Sequence, residues 1–346
     1  MNAVEKIRSF FFANTEKFHL SAVRLSDISV LSYAVNQEEY GSQNFLISDR
    51  LGFRYIIKKG RYRYFDEINR ERIIRLSNVL SGKKSGTVTA DLIIGKEIEI
   101  FGDRYLLHEY VKAINSYKLL RMWPTRKRLI FLLGLALELS LVLTQFSKES
   151  ASTFEECKKL RELFREAYDC DEGWVSVLDK AQETLWGEVS DMPITLVHND
   201  LVPSNILVAY KRAVLVDWEY WDMSISIFNF FDVILHFGSL MNASWFYKRT
   251  RENFLGVFEC KDSRRTCDFL KKCGEHAGKM GYLRYPAEVA QEYFFFYLAN
   301  KAICQYRTYS YHYRFDLFWF GVLEEYRRSS EKFGLFWNRL LKWETL

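Results

Sequence analysis

Three oxygen-bearing side chains in the middle of the chain have the types and spacing needed to hold a divalent ion beside a reacting hydroxyl. Asp200 follows a short apolar run, Asn205 comes five residues later, and Asp217 ends a further apolar run. A hairpin between the apolar runs 206–209 and 214–216 would return Asp217 beside Asn205. An amide oxygen and a carboxylate suit Mg²⁺, which takes few protein ligands and completes its shell with phosphate oxygens. Asp200 would stay outside that shell and accept a hydroxyl proton.

The spacing of Asp200 and Asn205 is that of kinase catalytic loops, which carry an aspartate base and an asparagine metal ligand. Asn199 stands where protein kinases have arginine, and Asp217-Trp218-Glu219 stands where they have Asp-Phe-Gly. These departures argue against a protein kinase. The pattern resembles the aminoglycoside phosphotransferase and choline kinase superfamily, with its His-x-Asp-x-x-x-x-Asn loop and its Asp-Trp-Glu or Asp-Phe-Glu metal motif. His198 would then pack under the loop and hold it, without a catalytic role.

A Tyr-Ile-Ile-Lys segment ending at Lys58 resembles the third-strand lysine motif of kinases. Strand alternation puts Ile56 and Lys58 on one face, so Ile56 would line the adenine site while Lys58 meets the phosphates. Lys59 is the rival lysine and would point the other way. Glu71, in a following predicted helix, resembles the glutamate that pairs with this lysine. Glu67 lies one turn earlier on the same helix face and is its rival.

Two more segments resemble nucleotide-binding parts of the same superfamily. A Gly-Ser-Gln-Asn segment places Gly41, Ser42 and Asn44 where that superfamily has a Gly-x-x-Asn turn over the phosphates. Backbone amides and small side chains can approach phosphate oxygens in such a turn. A Leu-Leu-His-Glu-Tyr-Val segment that includes Glu109 resembles the interlobe hinge, whose backbone pairs with adenine. The resemblance covers residues 25–235, and the later part of the chain shows only a helical pattern.

The elements that would position these residues change in type along the chain. Short apolar and aromatic runs predict strands in the first third, with Gly95-Lys96 as a hairpin turn. A 3.6-residue period predicts helices afterwards, interrupted by one strand-rich island. The predicted strands are 45–48, 53–59, 91–94, 97–100, 105–111, 194–197, 206–209 and 214–216, and the predicted helices are 64–80, 129–146, 154–167 and 173–189.

This order of elements, with the resemblance above, implies an α+β, bilobal protein-kinase-like fold. Residues 1–110 would form a small, nucleotide-binding lobe built on an antiparallel sheet. Residues 111–346 would form a larger helical lobe, with an embedded catalytic hairpin and the acceptor site. ATP and Mg²⁺ are the implied cofactors, and the choice between ATP and GTP stays open.

The composition excludes several other classes of protein. The chain has 346 residues and a net charge of +5 that is dispersed, whereas a nucleic-acid-binding protein would concentrate its positive charge. The first 25 residues have no signal-peptide pattern, which predicts a cytoplasmic enzyme whose six cysteines are free thiols. The apolar stretch 129–146 is interrupted by polar residues and predicts a buried helix rather than a membrane span. Residues 333–346 could contact an anionic membrane or pack as a terminal helix.

The acceptor is the least determined part of the prediction. Aromatic residues after position 290, together with Glu219, could hold a quaternary ammonium by cation–π attraction, which favours a choline- or ethanolamine-like acceptor. Most of these rings would nevertheless be helix core. A sugar or aminoglycoside, free or as part of a glycolipid, is the second acceptor class. A catalytically inactive kinase fold that serves as a binding protein is the alternative of another kind, and the oligomeric state is open.

Overall fold

The computed structural model divides the chain into two compact units. Unit 1 comprises Met1–Ala113 and Ala209–Glu219, and unit 2 comprises Ile114–Val208 and Tyr220–Leu346. The residues that the structure describes are 1–34, 43–59, 75–76, 90–92, 95–116, 118–119, 126–147, 152–168, 172–187, 192–209, 212–218, 220–242, 255–259, 263–309 and 318–345.

Strands predominate in the first third of the chain, and helices predominate after it. The strands are β1 Ser29–Ala34, β2 Gln43–Asp49, β3 Gly52–Lys59, β4 Ala90–Leu92, β5 Lys96–Ile100, β6 Asp103–Glu109, β7 Ile114–Asn115, β8 Ile194–Val197, β9 Ile206–Ala209, β10 Arg212–Leu215 and β11 Asp222–Ile225. The α-helices are α1 Ala3–Ala13, α2 Arg126–Leu143, α3 Thr153–Tyr168, α4 Glu172–Gly187, α5 Ile227–Asn242, α6 Arg264–Lys279, α7 Ala287–Tyr309, α8 Phe318–Arg328 and α9 Ser330–Leu341.

Unit 1 is built on a five-stranded antiparallel sheet in the order β1-β2-β3-β6-β5. This sheet confirms the antiparallel small lobe that the sequence predicts. Helix α1, which the sequence did not predict, begins at a capping box in which Asn2 and Glu5 exchange hydrogen bonds of 3.0 and 3.1 Å. Its buried residues Ile7 and Phe11 share one hydrophobic core with strand residues such as Phe45.

A tight turn connects β2 to β3, which correspond to the predicted strands 45–48 and 53–59. The Asp49 carboxylate accepts the Leu51 backbone N–H at 2.8 Å, and Gly52 has a φ of +117°, which favours glycine. The predicted hairpin at Gly95-Lys96 is wrong. Strand β4 pairs in parallel with β10, with Ala90 opposite Ala213, while β5 pairs with β6.

Unit 2 contains helices α2 to α9. Helices α2, α3 and α4 confirm three of the four predicted helices, with ends that differ by at most three residues, and nearly all of the fourth, 64–80, lies outside the described residues. The residues of α2 that face the protein interior include Leu132, Leu133 and Leu137, so this helix is a core element. No helix within the described residues is long and apolar enough to cross a membrane.

The aromatic residues of the last 120 positions form much of the core of unit 2. Rings on α5, α7 and α9 contact one another at centroid distances of 4.5 to 6.3 Å and are fully buried. They include Phe231, Phe294, Tyr297, Phe333 and Trp337.

The C-terminal segment packs as a terminal helix, which was the second of the two predicted arrangements. Phe336, Trp337 and Leu340 on α9 are fully buried, and Trp337 donates its ring N–H to the Tyr285 carbonyl at 3.1 Å. These side chains are therefore unavailable for the predicted membrane contact, because they already cover the core.

Candidate active site

The predicted catalytic loop begins where β8 ends and turns sharply at Asn199. Strand β8 is buried along its whole length and pairs with β11. Asn199 has a φ of +59°, a left-handed conformation that asparagine tolerates better than most residues. Its side chain accepts from the Asn300 amide at 2.8 Å and donates to the Tyr220 carbonyl at 2.9 Å. These two hydrogen bonds hold the side chain of Asn199, the residue that precedes Asp200, and so fix the turn.

Two side chains of α5 brace the same loop. Asn229 accepts the His198 backbone N–H at 3.1 Å and donates to the Leu196 carbonyl at 2.8 Å. Asp232 accepts the Leu201 backbone N–H at 3.0 Å. An amide and a carboxylate one helical turn apart therefore brace the loop together.

Asp200 and Asn205 contact each other directly. The Asn205 amide nitrogen donates to the Asp200 carboxylate at 2.8 Å and to the Asp200 carbonyl at 2.9 Å. A 3₁₀ turn over Pro203–Asn205 brings the asparagine back to the loop, and Asn205 is buried. Because its nitrogen is committed, the Asn205 side-chain oxygen is the atom left for a metal ion.

His198 is fully buried between β8 and the loop. Its backbone N–H is bound by Asn229, as described above. This position fits the predicted orienting role, which stays a prediction.

In unit 1, Lys58 and Asp217 form a salt bridge of 2.5 Å between Nζ and Oδ1. Asp217 has a φ of +68°, which turns the chain directly after β10 and the residue Val216. Lys59 instead pairs with Asp103 at 2.8 Å and lies over the Tyr105 ring. The geometry therefore favours Lys58 over its rival as the lysine of a phosphate site.

Lys58 lies on a polar face of the unit 1 sheet, opposite the hydrophobic core. Across the strands, Asn44 is the partner of Lys58, and His108 is the partner of Ile56, so all four share that face. Within the described residues, the Asn44 side-chain oxygen and the His108 Nε2 are buried without hydrogen-bond partners. Such orphaned polar atoms beside an ammonium fit the nucleotide that the resemblance implies.

His108 is a neutral imidazole at physiological pH. Its pKa is lowered to about 4, chiefly by burial and secondarily by the Lys58 charge, while the Asp217 charge acts in the opposite direction. Glu109, which the sequence assigns to the hinge, ends β6 opposite Tyr55. The other nucleotide and acceptor candidates, namely Gly41, Ser42, Glu67, Glu71 and Glu219, lie outside the described residues.

A pocket of about 360 Å³ opens beside Asp200 within unit 2. It is bounded by the catalytic loop and by residues from α7 and α8. Its lining residues are Asn199, Asp200, Tyr220, Lys301, Cys304, Gln305, Phe318 and Trp319.

Lys301 is the charged lining residue that the sequence did not predict. Its side chain is 3 % exposed, and its ammonium lies 3.1 Å from the Asp232 carboxylate and 3.9 Å from that of Asp200. The sequence signal was a lysine within the apolar run of α7. Because a lysine is almost never fully buried unless it is paired, this position indicates a buried partner of opposite charge.

The described residues contain no cluster of three or more His, Cys, Asp or Glu side chains arranged to hold a metal ion.

Comparisons with known proteins identify the family and the fold of this chain. The model of a phosphotransferase enzyme family, APH, matches residues 33–258, so the chain belongs to that family. No curated protein sequence matches.

Two solved structures illustrate the structural likeness. A choline kinase from Cryptosporidium parvum is 12% identical, with 94% of this chain and 95% of that chain covered, at a TM-score of 0.55. An aminoglycoside phosphotransferase from Alicyclobacillus acidocaldarius is 13% identical, with 91% and 93% covered, at a TM-score of 0.43. The first likeness shows that this chain has a kinase-like fold.

Proposed function

We propose that this protein transfers the γ-phosphoryl group of ATP to a hydroxyl of a small molecule. The observation that carries the proposal is the pairing of Asp200 with Asn205 at the edge of a pocket large enough for a small acceptor. Family membership supports phosphotransfer, and the pocket supports an acceptor of modest size.

In this proposal Asp200 is the catalytic residue. Its carboxylate aligns the acceptor hydroxyl and takes the proton as the oxygen forms its bond to the γ-phosphorus. The bond between that phosphorus and the β–γ bridging oxygen breaks, and ADP leaves. Alignment and charge neutralisation account for most of the rate enhancement in such reactions. A single well-placed carboxylate is therefore enough to accept the proton.

Unit 1 supplies the proposed phosphate-binding residues. Lys58 orients the α- and β-phosphates, and Glu71 holds Lys58, as the resemblance implies. Asn205 and Asp217 are the proposed ligands of Mg²⁺, which neutralises the charge of the phosphates when bound. Asp217 already contacts Lys58, so the cation and the metal-binding carboxylate are preassembled.

The acceptor class is the open part of the proposal. A choline- or ethanolamine-like acceptor was favoured by the aromatic residues near the C-terminus, but most of those described are core residues such as Phe294 and Tyr297. Trp319 and Phe318 are the aromatic residues of that region that line the pocket. A sugar or aminoglycoside acceptor, free or in a glycolipid, is the second class.

The test is ADP release from the purified protein with ATP, Mg²⁺ and a panel of choline, ethanolamine, hexoses, heptoses and aminoglycosides. We expect transfer to at least one acceptor and loss of transfer when EDTA removes the metal, with recovery when Mg²⁺ is restored. Magnesium-dependent nucleotide binding without transfer to any acceptor would contradict the proposal and favour the inactive-kinase alternative.

A further inference from the structure

A protein cation already occupies an aromatic face in the acceptor pocket. The Lys301 ammonium lies over the Trp319 ring, 4.7 Å from its centre, and both residues line the pocket with Asp200. An ammonium at this distance from an indole face is a cation–π contact.

Lys301 is held rigidly in this position. Its ammonium donates to the Asp232 carboxylate at 3.1 Å and to the Asn199 carbonyl. Asp232 is fully buried and also accepts from the Tyr297 hydroxyl at 2.5 Å and from the Leu201 backbone. Asp232 therefore has little capacity left for a ligand, and the cation cannot easily move away from its anchor.

Other parts of the Trp319 ring are also covered by protein atoms. His236 contacts the ring at 5.9 Å in an edge arrangement, and Trp319 is only 8 % exposed. A quaternary ammonium seeking this indole face would meet the Lys301 charge in a partly desolvated pocket. The two cations would compete for one indole face, which the Lys301 ammonium, anchored by Asp232, already occupies.

The same pocket offers hydrogen-bond donors to oxygen atoms. The Lys301 ammonium has three N–H groups, and the structure describes partners for two of them. Gln305 uses its side-chain oxygen to accept the Trp319 backbone N–H at 2.8 Å, which leaves its NH₂ group for a ligand. Asp200 supplies the complementary acceptor for a hydroxyl.

We propose that Lys301 determines acceptor specificity by acting as a built-in cation. The pocket then takes a hydroxyl-rich acceptor without positive charge, such as a sugar, and discriminates against quaternary-ammonium and amino-substituted acceptors. This inference rests on the proposed function, because it requires that Asp200 face the reacting hydroxyl.

The first test compares acceptors that differ only in charge. Glucose, galactose and mannose are each paired with their amino sugar, and dimethylbutanol is paired with choline, at a pH at which the amines are protonated. ADP release gives kcat/KM for each. For the pairs that react, we expect the wild-type protein to prefer the uncharged member by about tenfold or more.

The second test removes the cation. Lys301→Met keeps an unbranched side chain one atom shorter, and the double variant Lys301→Met with Asp232→Asn also removes the buried carboxylate that would otherwise lose its partner. We expect the charge preference to shift toward the cationic member by about tenfold or more in either variant. Lys332→Met changes a half-exposed surface lysine and should leave the preference unchanged.

Binding provides a readout that does not depend on turnover. Calorimetric titration with tetramethylammonium, in the presence of a non-hydrolysable ATP analogue and Mg²⁺, should detect binding to the double variant and none to the wild-type protein. Preference for cationic acceptors in the wild-type protein, or an unchanged preference in both folded variants, would overturn the inference and leave the kinase proposal standing. Absence of transfer to every acceptor, despite nucleotide binding, would overturn the proposed function and the inference with it.

Discussion

The Lys58 ammonium and the Asp217 carboxylate form a salt bridge of 2.5 Å, although 159 positions separate them in the chain. Both side chains are partly exposed, at 22% and 36%. A pair so exposed adds little to stability, since surface ion pairs are worth about 0–1 kcal/mol. Its value is better explained by function, because it sets a cation and a carboxylate side by side where phosphates and a metal are proposed to bind.

Replacement of Lys58 should therefore reduce catalysis and spare the fold. We expect Lys58→Met to lower kcat/KM for ATP by about 10²-fold or more, since a fixed charge facing the phosphates would be lost. The matched control is Lys59→Met, whose parent side chain pairs with Asp103. Steady-state ADP release and thermal unfolding of both variants check the prediction. An equal loss of activity in the Lys59 variant would contradict the assignment of Lys58 as the lysine that binds the phosphates.

Asp200→Asn separates the proton-accepting role from the structural role of this side chain. An asparagine oxygen can still accept from the Asn205 amide, which now donates to the Asp200 carboxylate at 2.8 Å. We expect kcat to fall by about 10²- to 10⁴-fold, with nucleotide affinity little changed, because the base is lost while the loop is kept.

The control for the Asp200 variant is Asp222→Asn, which alters a carboxylate that is 40 % exposed and pairs with Lys159 at 3.4 Å. Its turnover should match that of the wild-type protein. An Asp200→Asn protein with full turnover would remove Asp200 from the mechanism.

The parts of the site that the sequence predicts are those encoded by local spacing. The predicted strands 194–197 and 206–209 coincide with β8 and β9, because short apolar runs flank a loop of fixed length. The contact between Asp200 and Asn205 follows from their five-residue separation. A short, fixed separation along the chain limits how far apart two side chains can lie.

The parts that were missed depend on contacts between distant positions. Lys301 lies 102 residues from Asn199 and 69 from Asp232, so no local pattern relates them. The hairpin predicted at Gly95-Lys96 failed for the same reason, since β4 pairs with β10, more than 100 residues away. Strand pairing depends on tertiary partners more than on local preference.

Asp232 should be essential for the stability of unit 2. It is fully buried and accepts hydrogen bonds from a backbone amide, a tyrosine hydroxyl and the Lys301 ammonium. We expect Asp232→Asn to lower the free energy of unfolding by about 3–5 kcal/mol, because it removes the nearer of the two carboxylates that face the buried Lys301 charge. Urea unfolding followed by tryptophan fluorescence measures the change.

A surface pair of the same type provides the comparison for Asp232. Asp179 is 43 % exposed and pairs with Arg161 at 2.7 Å. Asp179→Asn should cost less than about 1 kcal/mol, since water screens the charge. Combining Asp232→Asn with Lys301→Met should recover part of the lost stability. Equal losses from the two aspartates would contradict the assignment of a buried ion pair.

His276 should make the folded protein sensitive to acid. Its ring is buried in α6, hydrogen-bonds to the Ser140 hydroxyl at 3.0 Å and has a pKa lowered to about 4, chiefly by burial and further by Lys279. Between its ordinary pKa of 6.5 and this value, the unfolded chain binds a proton that the folded protein does not, so stability falls as the pH falls. The loss attributable to this ring approaches about 3 kcal/mol at pH 4. We expect His276→Gln to flatten that part of the pH dependence of the unfolding free energy, measured from pH 7 to pH 4. A His276 variant with the wild-type pH dependence would show that the buried ring does not contribute.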